Sequence, residues 1–380
     1  MSSTNAEESL GSGHIGEEPF KLPKPGDYHK TITMATIARA AGVSQGAISS
    51  MLNDRDYGIR VSEKTRERVF KACRELGYIP NDLRAIVRMY PETGDVCLLA
   101  SADLGDIARH PHYSRLLSSS MAALPAAKKQ VILAMYDPAV DYNANPDLLP
   151  QPIQTGIASK FLLFGTPNLS LCQAIVSRGF PLSVVGREVS LPGVTSIIPD
   201  YAQASQMAIE YLFNLGHSHI AIFSGPFGST DYSIIELNRG LRTGYDKIGV
   251  PIEAQNIIYG DLTFNNGFNA SESLLGRHPK PTAFFCLSDV SAAGVMARAQ
   301  LRGLKIPKDL SILGCSDDTL LDYVQPALTT IHIPAEEMAV EGLNEVLRRI
   351  RNPETGLLES NKILAPVRLV ERESCAKPKS

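Results

Sequence analysis

A short polar segment near the N-terminus carries side chains of the kind that read DNA bases. Ser44, Gln45, Gly46 and Ala47 stand together at its start. A glutamine amide offers the donor and the acceptor that pair with adenine in the major groove, and small neighbours permit a close approach. We therefore interpret these four residues as the N-terminal end of a helix that spans residues 44–52. This end faces base edges and phosphates. A plain helical hairpin is the alternative that these residues alone leave open.

Three helices are predicted to position this segment. Their apolar residues recur every three or four positions, as on one face of a helix: Met34, Ile37, Ala38 and Ala41 in the first, Ile48, Met51 and Leu52 in the second, and Val69, Phe70, Cys73 and Leu76 in the third. Gly42 separates the first two helices, while Ser62 is placed to cap the third and Gly77 to end it. This spacing predicts an all-α helix-turn-helix head over residues 30–80.

The charge of the chain is unevenly distributed. Residues 30–90 contain eleven Lys and Arg against six Asp and Glu, a net charge of +5, whereas the whole chain has a net charge of −3. A basic segment attached to an acidic body suits a local contact with a polyanion such as DNA. A solvated helix surface explains the charges of this segment equally well.

The segments that flank the head have different compositions. Residues 1–29 are rich in Ser, Gly, Glu and Pro and poor in apolar side chains, so we expect a disordered tail. Residues 81–93 contain a short helical stretch, 82–89, followed by a Pro-Glu-Thr-Gly run that predicts a linker. The body is then predicted to span residues 94–380.

The body alternates apolar, strand-like runs with helical stretches. The runs are VCLLA at 96–100, VILAMY at 131–136, FLLFG at 161–165, LSVVG at 182–186, HIAIFSG at 219–225, AFFCLSD at 283–289 and SILGCSD at 311–317. Helical stretches such as 202–215 and 290–302 lie between them. This alternation predicts an α/β body with parallel sheets covered on both faces. In such sheets ligands bind at the carboxyl ends of the strands.

Several other kinds of chemistry lack a pattern in the sequence. The six cysteines include no C-x-x-C pair, and neither His217 nor His219 has metal-ligand spacing to a second donor, so we expect no disulfide framework, metal site or cofactor, and we interpret His217 as structural. A glycine-rich phosphate loop, a nucleophile elbow and paired catalytic carboxylates are missing, which argues against an enzyme. A polar, acidic N-terminus and the lack of a long apolar stretch predict a cytoplasmic protein with no membrane contact.

Two long runs identify a resemblance. ITMATIARAAGVSQGAISSMLN, followed by VSEKTRERVFKACRELGYIPN, closely resembles the head of the lactose-repressor/galactose-repressor (LacI/GalR) family. The resemblance continues in VVGRE, LGHSHIAIFSG, PTAFFCLSD, GLKIPKDLSILG and PALTTIHIP. Residues 95–180 match only in the alternation of strand-like and helical stretches. It implies a body like the periplasmic sugar-binding proteins, with two parallel-sheet lobes and a ligand between them.

The resemblance also implies roles in DNA binding. Ser44, Gln45, Gly46 and Ser50 match the DNA-reading helix, and Thr33 matches the cap of the first helix. Residues 82–89 match a hinge helix that enters the minor groove of the operator. Family members dimerise through the body, and a two-fold homodimer places two heads on successive half-sites of a near-palindromic operator.

Three departures from the family pattern lie in the DNA-binding part. Ser50 stands where relatives usually have Arg, and Val87 stands where they usually have a minor-groove Leu. The loop 54–60 is about three residues longer than usual, and its Arg55 is a candidate phosphate contact. Arg84 and Arg88, one turn apart, are candidates for contacts with phosphates or a narrow minor groove.

For the body, the resemblance implies an effector site at the strand ends. Asp289 matches an acidic residue that binds ligand hydroxyls in relatives, and Arg187 matches a cleft arginine. A helix N-cap is the alternative role for Asp289, and a surface ion pair is the alternative for Arg187. Where relatives have an aspartate, this chain has Ser316, followed by Asp317, so the identity of the effector is not carried over.

Together these observations predict a regulator of transcription, expected to be a repressor, whose binding to operator DNA responds to a sugar or a related metabolite. The alternatives are a ligand-binding or transport-associated protein and an enzyme built on the same α/β body.

Overall fold

The computed structural model describes residues 32–53, 61–76, 78, 95–102, 111–127, 129–278, 280–319, 324–348 and 360–379. Contacts within the chain divide it into two units, Met1–Ala85 and Ile86–Ser380. The predicted tail, 1–29, and the predicted hinge helix, 82–89, lie outside the described residues.

The first unit contains the predicted helices. They are α1, Met34–Ala41; α2, Gln45–Asn53; and α3, Glu63–Leu76. Ile37, Ile48, Val69 and Cys73 are fully buried, one or two from each helix. The apolar stripes that predicted the helices therefore face one another, and the prediction of an all-α helix-turn-helix head is confirmed.

The second unit has two lobes, each built on one sheet. The first sheet consists of β1, Asp95–Ser101; β2, Val131–Tyr136; β3, Ala158–Phe164; β4, Leu182–Val185; β5, Val194–Pro199; and β11, Asn361–Ala365. The strand order is β11-β5-β4-β3-β1-β2, and every pair is parallel. The helices that accompany these strands in the chain are α4, Pro111–Ala123; α5, Gln151–Thr155; and α6, Leu169–Ser177.

The second lobe repeats this arrangement. Its strands are β6, Ile220–Ser224; β7, Ile257–Tyr259; β8, Ala283–Cys286; β9, Ser311–Ser316; β10, Thr329–His332; and β12, Arg368–Val370. The strand order is β12-β10-β9-β8-β6-β7, and only β12 is antiparallel to its neighbour. The remaining helices are α7, Tyr201–Asn214; α8, Tyr232–Ile248; α9, Phe264–Leu275; α10, Asp289–Leu301; and α11, Ala335–Arg348. The predicted body of two parallel-sheet lobes is confirmed.

The described chain passes between the lobes three times. It leaves β5 of the first sheet through α7 to β6, leaves β10 of the second sheet through α11 to β11, and returns directly from β11 to β12. Helix α11 follows a strand of the second sheet but packs against β3, β4 and β5 of the first. As a result, one apolar cluster includes side chains of both sheets and of α11, such as Leu162, Leu313 and Leu343.

Alternation along the strands explains why each sheet has a core on both faces. In β1, Val96 and Leu98 belong to the cluster shared by the lobes, whereas Cys97 and Leu99 belong to a second cluster inside the first lobe. Successive side chains of a strand point to opposite faces, so an uninterrupted apolar run supplies both. Five of the six cysteines are buried, and none forms a disulfide. No helix within the described ranges has the length and apolar character needed to span a membrane.

Candidate functional site

The start of α2 is built by three short-range features. The hydroxyl of Thr33 accepts a hydrogen bond from the backbone N–H of Thr36 at 3.3 Å and so caps α1. Gly42 ends α1 with a φ of +64°, a left-handed conformation that suits glycine. The hydroxyl of Ser44 then accepts from the N–H of Ala47 at 3.2 Å, which caps α2. These contacts fix the turn that presents the N-terminus of α2.

The predicted base-reading residues differ in their exposure. Ser44 and Gln45 are exposed, and Gly46 and Ser50 are partly exposed. Ala47 is only 7% exposed and packs in the core of the helical unit, so the prediction that it faces DNA is wrong. Its place in the core follows from helical spacing, because it lies one turn before the buried Met51 and next to the buried Ile48.

Other predicted DNA-binding residues lie outside the described residues. These are Arg55, Arg84, Val87 and Arg88. Their proposed contacts with phosphates and the minor groove stay predictions.

In the body, an ion pair joins the end of a strand in one lobe to the start of a helix in the other. Arg187 follows β4 of the first lobe, and its Nη2 lies 2.5 Å from Oδ2 of Asp231, which caps α8 of the second lobe. Burial pushes the pKa of Asp231 upwards, but the hydrogen bonds from Ser233 and the charge of Arg187 outweigh it and leave that pKa below its usual value. The carboxyl ends of the two sheets therefore meet, and Arg187 makes an ion pair that is partly buried between the lobes.

The turn after β9 forms a second junction between the lobes. Ser316 and Asp317 have φ values of 134° and 56°, which are unfavourable for residues with a side chain. Arg115, on α4 of the first lobe, donates to both of their carbonyl oxygens at 3.1 and 3.0 Å. The same guanidinium binds both carboxylate oxygens of Glu336 at 2.6 Å. Arg115 thus uses most of its donors to hold this turn against the first lobe and α11.

The Asp317 carboxylate is held by two side chains from the second lobe. His332 Nδ1 lies 2.8 Å from its Oδ2, and Arg372 Nη2 lies 2.6 Å from its Oδ1. The hydrogen bond with His332 lowers the pKa of Asp317 most, burial opposes it, and Arg372 lowers it further, so the carboxyl stays ionised. This side chain presents a fixed negative charge at the carboxyl end of the sheet.

Asp289 is the buried member of the predicted effector-binding residues, and its contact with an effector stays a prediction. It is 1% exposed, and both of its oxygens have protein partners: Oδ1 accepts from the hydroxyl of Thr330 at 2.6 Å, and Oδ2 accepts from the N–H of Asp318 at 2.8 Å. It opens α10 after the cap residue Ser288, so the alternative role as the helix N-cap is wrong. A Cβ on Gly314 would lie 2.1 Å from Oδ1, and therefore only glycine leaves room for this carboxyl.

Burial gives Asp289 an unusual pKa. Desolvation raises it from the ordinary 3.8 to about 7, although both hydrogen bonds act in the opposite direction. The folded protein therefore keeps this proton at pH values where the unfolded chain has lost it.

We expect this difference to make stability depend on pH. As pH rises from 4.5 to 7.5, the unfolded chain gains from ionising Asp289 and the folded protein does not, so the free energy of unfolding falls. Asp289→Asn removes the titration, and the Thr330 hydroxyl can accept as well as donate. Between these pH values, wild type should lose about 2 to 4 kcal/mol relative to the variant. Urea unfolding of both proteins at a series of pH values measures this; a constant difference between them would contradict it.

The burial and hydrogen bonds of His217 confirm that it is a structural residue. It is 1% exposed, its Nδ1 lies 2.9 Å from the hydroxyl of Thr282, and its Nε2 lies 3.1 Å from that of Ser311 and 2.8 Å from the carbonyl of Ala376. Burial lowers the pKa of His217. Among the residues that the structure describes, no group of three His, Cys, Asp or Glu side chains is arranged to hold a metal ion.

Sequence reasoning missed the partners of the strand-end residues. They are Arg115, Asp231, His332, Glu336 and Arg372. His332 ends a strand and Asp231 precedes a helix, which are local signals that a search for strand ends and caps would find. Arg115, Glu336 and Arg372 offer no local signal, because each partner lies at least 55 residues away in the chain.

Comparisons with known proteins agree with this architecture. Residues 33–81 match the family model of bacterial regulatory proteins of the lacI family, and residues 209–375 match the periplasmic binding protein-like domain. The HTH-type transcriptional regulator DegA of Bacillus subtilis (strain 168) is 30% identical over 346 residues, which make up 90% of this chain and 97% of DegA. The HTH-type transcriptional repressor CytR of Escherichia coli (strain K12) is 31% identical over 331 residues, 85% of this chain and 91% of CytR.

A solved structure extends the comparison to a bound ligand. The complex of the transcriptional regulator CelR with cellobiose matches with a TM-score of 0.60 and 27% identity, over 90% of this chain and 100% of that one. Each of these matches covers 85% or more of this chain.

Proposed function

This chain belongs to the lacI family of bacterial regulatory proteins and is a DNA-binding regulator of transcription, and we propose that it is a repressor whose binding to operator DNA is controlled by a sugar or a related metabolite. The observation that carries the DNA-binding half is the exposed, capped N-terminus of α2, where Ser44 and Gln45 stand clear of the core. A helix N-terminus with exposed polar side chains suits base edges and phosphates at once.

The effector half of the proposal rests on the junction between the lobes. Arg187, Ser316 and Asp317 lie where the carboxyl ends of the two sheets meet. A fixed carboxylate and a guanidinium there offer the charged acceptor and donor that bind sugar hydroxyls. The bound cellobiose of CelR supports a carbohydrate as the ligand class. We assign Asp289 the role of positioning residue, because it holds the turn through the N–H of Asp318 rather than facing the junction.

We further propose that the body forms a homodimer. Strand β2 is an edge of the first sheet, and its alternate residues Val131, Leu133 and Met135 are 36%, 52% and 46% exposed. An apolar edge strand open to water pairs readily with another chain, and a second copy fits the two-fold operator of the family. Sedimentation equilibrium at micromolar protein should give the mass of two chains; the mass of one chain would contradict this proposal.

Binding of genomic fragments tests the DNA half. The purified chain should retard one or a few fragments in the presence of excess bulk DNA, and the retained fragments should share a near-palindromic sequence. If no fragment is preferred at any salt concentration or with any ligand, the repressor proposal fails.

Because a regulator of this kind acts on DNA, we place it in the cytoplasm and assign it no catalytic step. Turnover of a carbohydrate by the purified chain would favour the enzyme alternative instead.

A substitution at the junction tests the effector half. Arg187→Met removes the guanidinium but leaves the helical head untouched. The variant should bind the operator with the affinity of wild type and lose most of the change in affinity that the effector produces. Lys362→Met is the matched control, because Lys362 pairs with Glu188 inside the first lobe at 2.7 Å. If the Arg187 variant responds as wild type does, the assignment of the effector site is wrong.

A further inference from the structure

A cavity of about 530 Å³ lies in the second lobe, away from the junction between the lobes. Strands β6 and β7, helix α8 and the two loops beside that helix surround it, and all of its lining residues fall within 222–259. Among the described residues, none of those at the junction lines it. It is therefore a separate space from the proposed effector site.

The inner wall of this cavity is apolar. Ile222, Leu241, Ile252 and Ile257 line it, and the first two are only 1% and 3% exposed. Small-molecule sites have volumes of about 300 to 1,000 Å³. The size and lining of this cavity are those of a ligand site.

Two polar side chains on the wall lack partners in the described part of the protein. The ring of Tyr245 is largely buried, with the residue 6% exposed, and its hydroxyl makes no hydrogen bond within the described residues. The hydroxyl oxygen is not among the fully buried atoms, so it is open to water or to a ligand. Arg242 makes no ion pair, whereas Arg239 of the same helix binds Glu236. Residues 242 and 245 are three apart on α8, so the two side chains are neighbours on its surface.

The mouth of the cavity carries two exposed aromatic rings. Phe227 is 82% exposed and Tyr259 is 46% exposed, and their ring centroids lie 5.1 Å apart in an edge-to-face arrangement. No Asp or Glu is among the lining residues within the described part of the chain, while two arginines are. Burial, and after it the charge of nearby Glu253, raises the pKa of Tyr245 and keeps its hydroxyl protonated as a donor. The lining thus combines apolar walls, aromatic rings, a hydroxyl donor and a free cation, which together complement an apolar anion.

We propose that this cavity is a second small-molecule site, specific for apolar carboxylic acids such as arylalkyl carboxylates. The carboxylate accepts a hydrogen bond from the Tyr245 hydroxyl and pairs with Arg242, and the apolar part lies between the isoleucines and the rings of Phe227 and Tyr259. Since α8 is also the helix that Asp231 caps, a bound acid contacts the element that pairs with Arg187 across the lobes.

Isothermal titration of the full-length chain tests this proposal. The probes are 3-phenylpropionate and its uncharged counterpart 3-phenylpropanamide, each tested up to about 10 mM. We expect the acid to bind about tenfold or more tightly than the amide, because a hydrogen bond to a charged group is stronger than one between neutral groups.

Three variants distinguish binding through the assigned contacts from nonspecific binding. Arg242→Gln should weaken binding of the acid about tenfold and leave the amide unchanged, and Tyr245→Phe should weaken binding of the acid about two- to tenfold. Arg368→Gln is the control, because this exposed arginine lies on β12 at the opposite edge of the same sheet. It should bind the acid as wild type does.

Two outcomes overturn the proposal. One is the absence of binding by the acid at the highest concentration. The other is binding without recognition of the charge, which would show either as equal affinity for acid and amide or as equal affinity of wild type and Arg242→Gln for the acid. Arg242 is exposed, so its replacement keeps the fold, and matching thermal unfolding curves for all variants confirm this. Neither result bears on DNA binding or on the junction between the lobes.

Discussion

Replacing Glu336 with leucine is expected to lower the free energy of unfolding of the body by about 3 to 5 kcal/mol, and by more than replacing Arg115 with leucine. The two side chains form one ion pair but differ in their access to water: Arg115 is 10% exposed and Glu336 is 40% exposed. Loss of Glu336 leaves a buried guanidinium without its carboxylate. Loss of Arg115 leaves a carboxylate that water reaches and also removes the donor of the Ser316 and Asp317 carbonyl oxygens. No buried charge is left without a partner, so the expected cost is smaller.

Urea unfolding followed by far-ultraviolet circular dichroism measures this asymmetry, since the chain contains no tryptophan to report it by fluorescence. The double variant, in which leucine replaces both residues, should recover part of the loss because no unpaired charge remains. Glu188→Gln, in a more exposed pair with Lys362, is the control and should change stability by less than about 1 kcal/mol. A larger loss for the Arg115 variant would show that burial does not govern this pair.

Operator affinity is expected to fall about 10³-fold or more between 50 and 200 mM salt. The segment 30–90 carries eleven Lys and Arg, and a dimer brings two such segments to the DNA. Each phosphate that a cation neutralises releases counterions, which makes the logarithm of affinity fall linearly with the logarithm of salt concentration. Fluorescence anisotropy with a labelled operator at five salt concentrations gives the slope. A nearly flat line would mean that few phosphates are contacted.

Gln45→Ala should lower operator affinity without changing its dependence on salt concentration. Because we assign Gln45 to a base edge, its loss should cost about 1 to 3 kcal/mol on the operator and relax the preference at one position of each half-site. The salt slope and the affinity for unrelated DNA should stay as in wild type, since an uncharged side chain releases no counterions. An equal loss on both kinds of DNA would assign Gln45 to the backbone instead.

Local patterns in the sequence were sufficient for much of the fold. The runs at 96–100 and 131–136 became β1 and β2 because uninterrupted or alternating apolar residues have few other stable arrangements. Helix α2 begins one residue later than expected because Ser44 acts as its cap. The strands that escaped prediction are short, as β7 and β12 are, or polar and exposed at one end, as β11 is. Strand β5 had a detectable β-branched run between Gly193 and Pro199 that was overlooked.

The site was harder to predict than the fold because its contacts are long-range. A carboxylate after a strand, such as Asp289, is a candidate for ligand binding on sequence alone, but its neighbours in the structure decide its role. Thr330 and the N–H of Asp318 occupy both of its oxygens, and neither contact has a local signature. The neighbouring Asp317, paired with His332 and Arg372, carries the charge at the junction instead.

The place of β11 in the first sheet has a consequence for how the protein is made. This strand comes from residues 361–365 but completes a sheet whose other strands end by residue 199. Chains fold from the N-terminus as they leave the ribosome. The edge of β5 therefore stays unpaired while about 160 further residues are synthesised. Unpaired edges of apolar strands are sites of aggregation. Ribosomes that stall within this stretch should therefore yield chains that aggregate or depend on chaperones, whereas the completed chain closes its own edge.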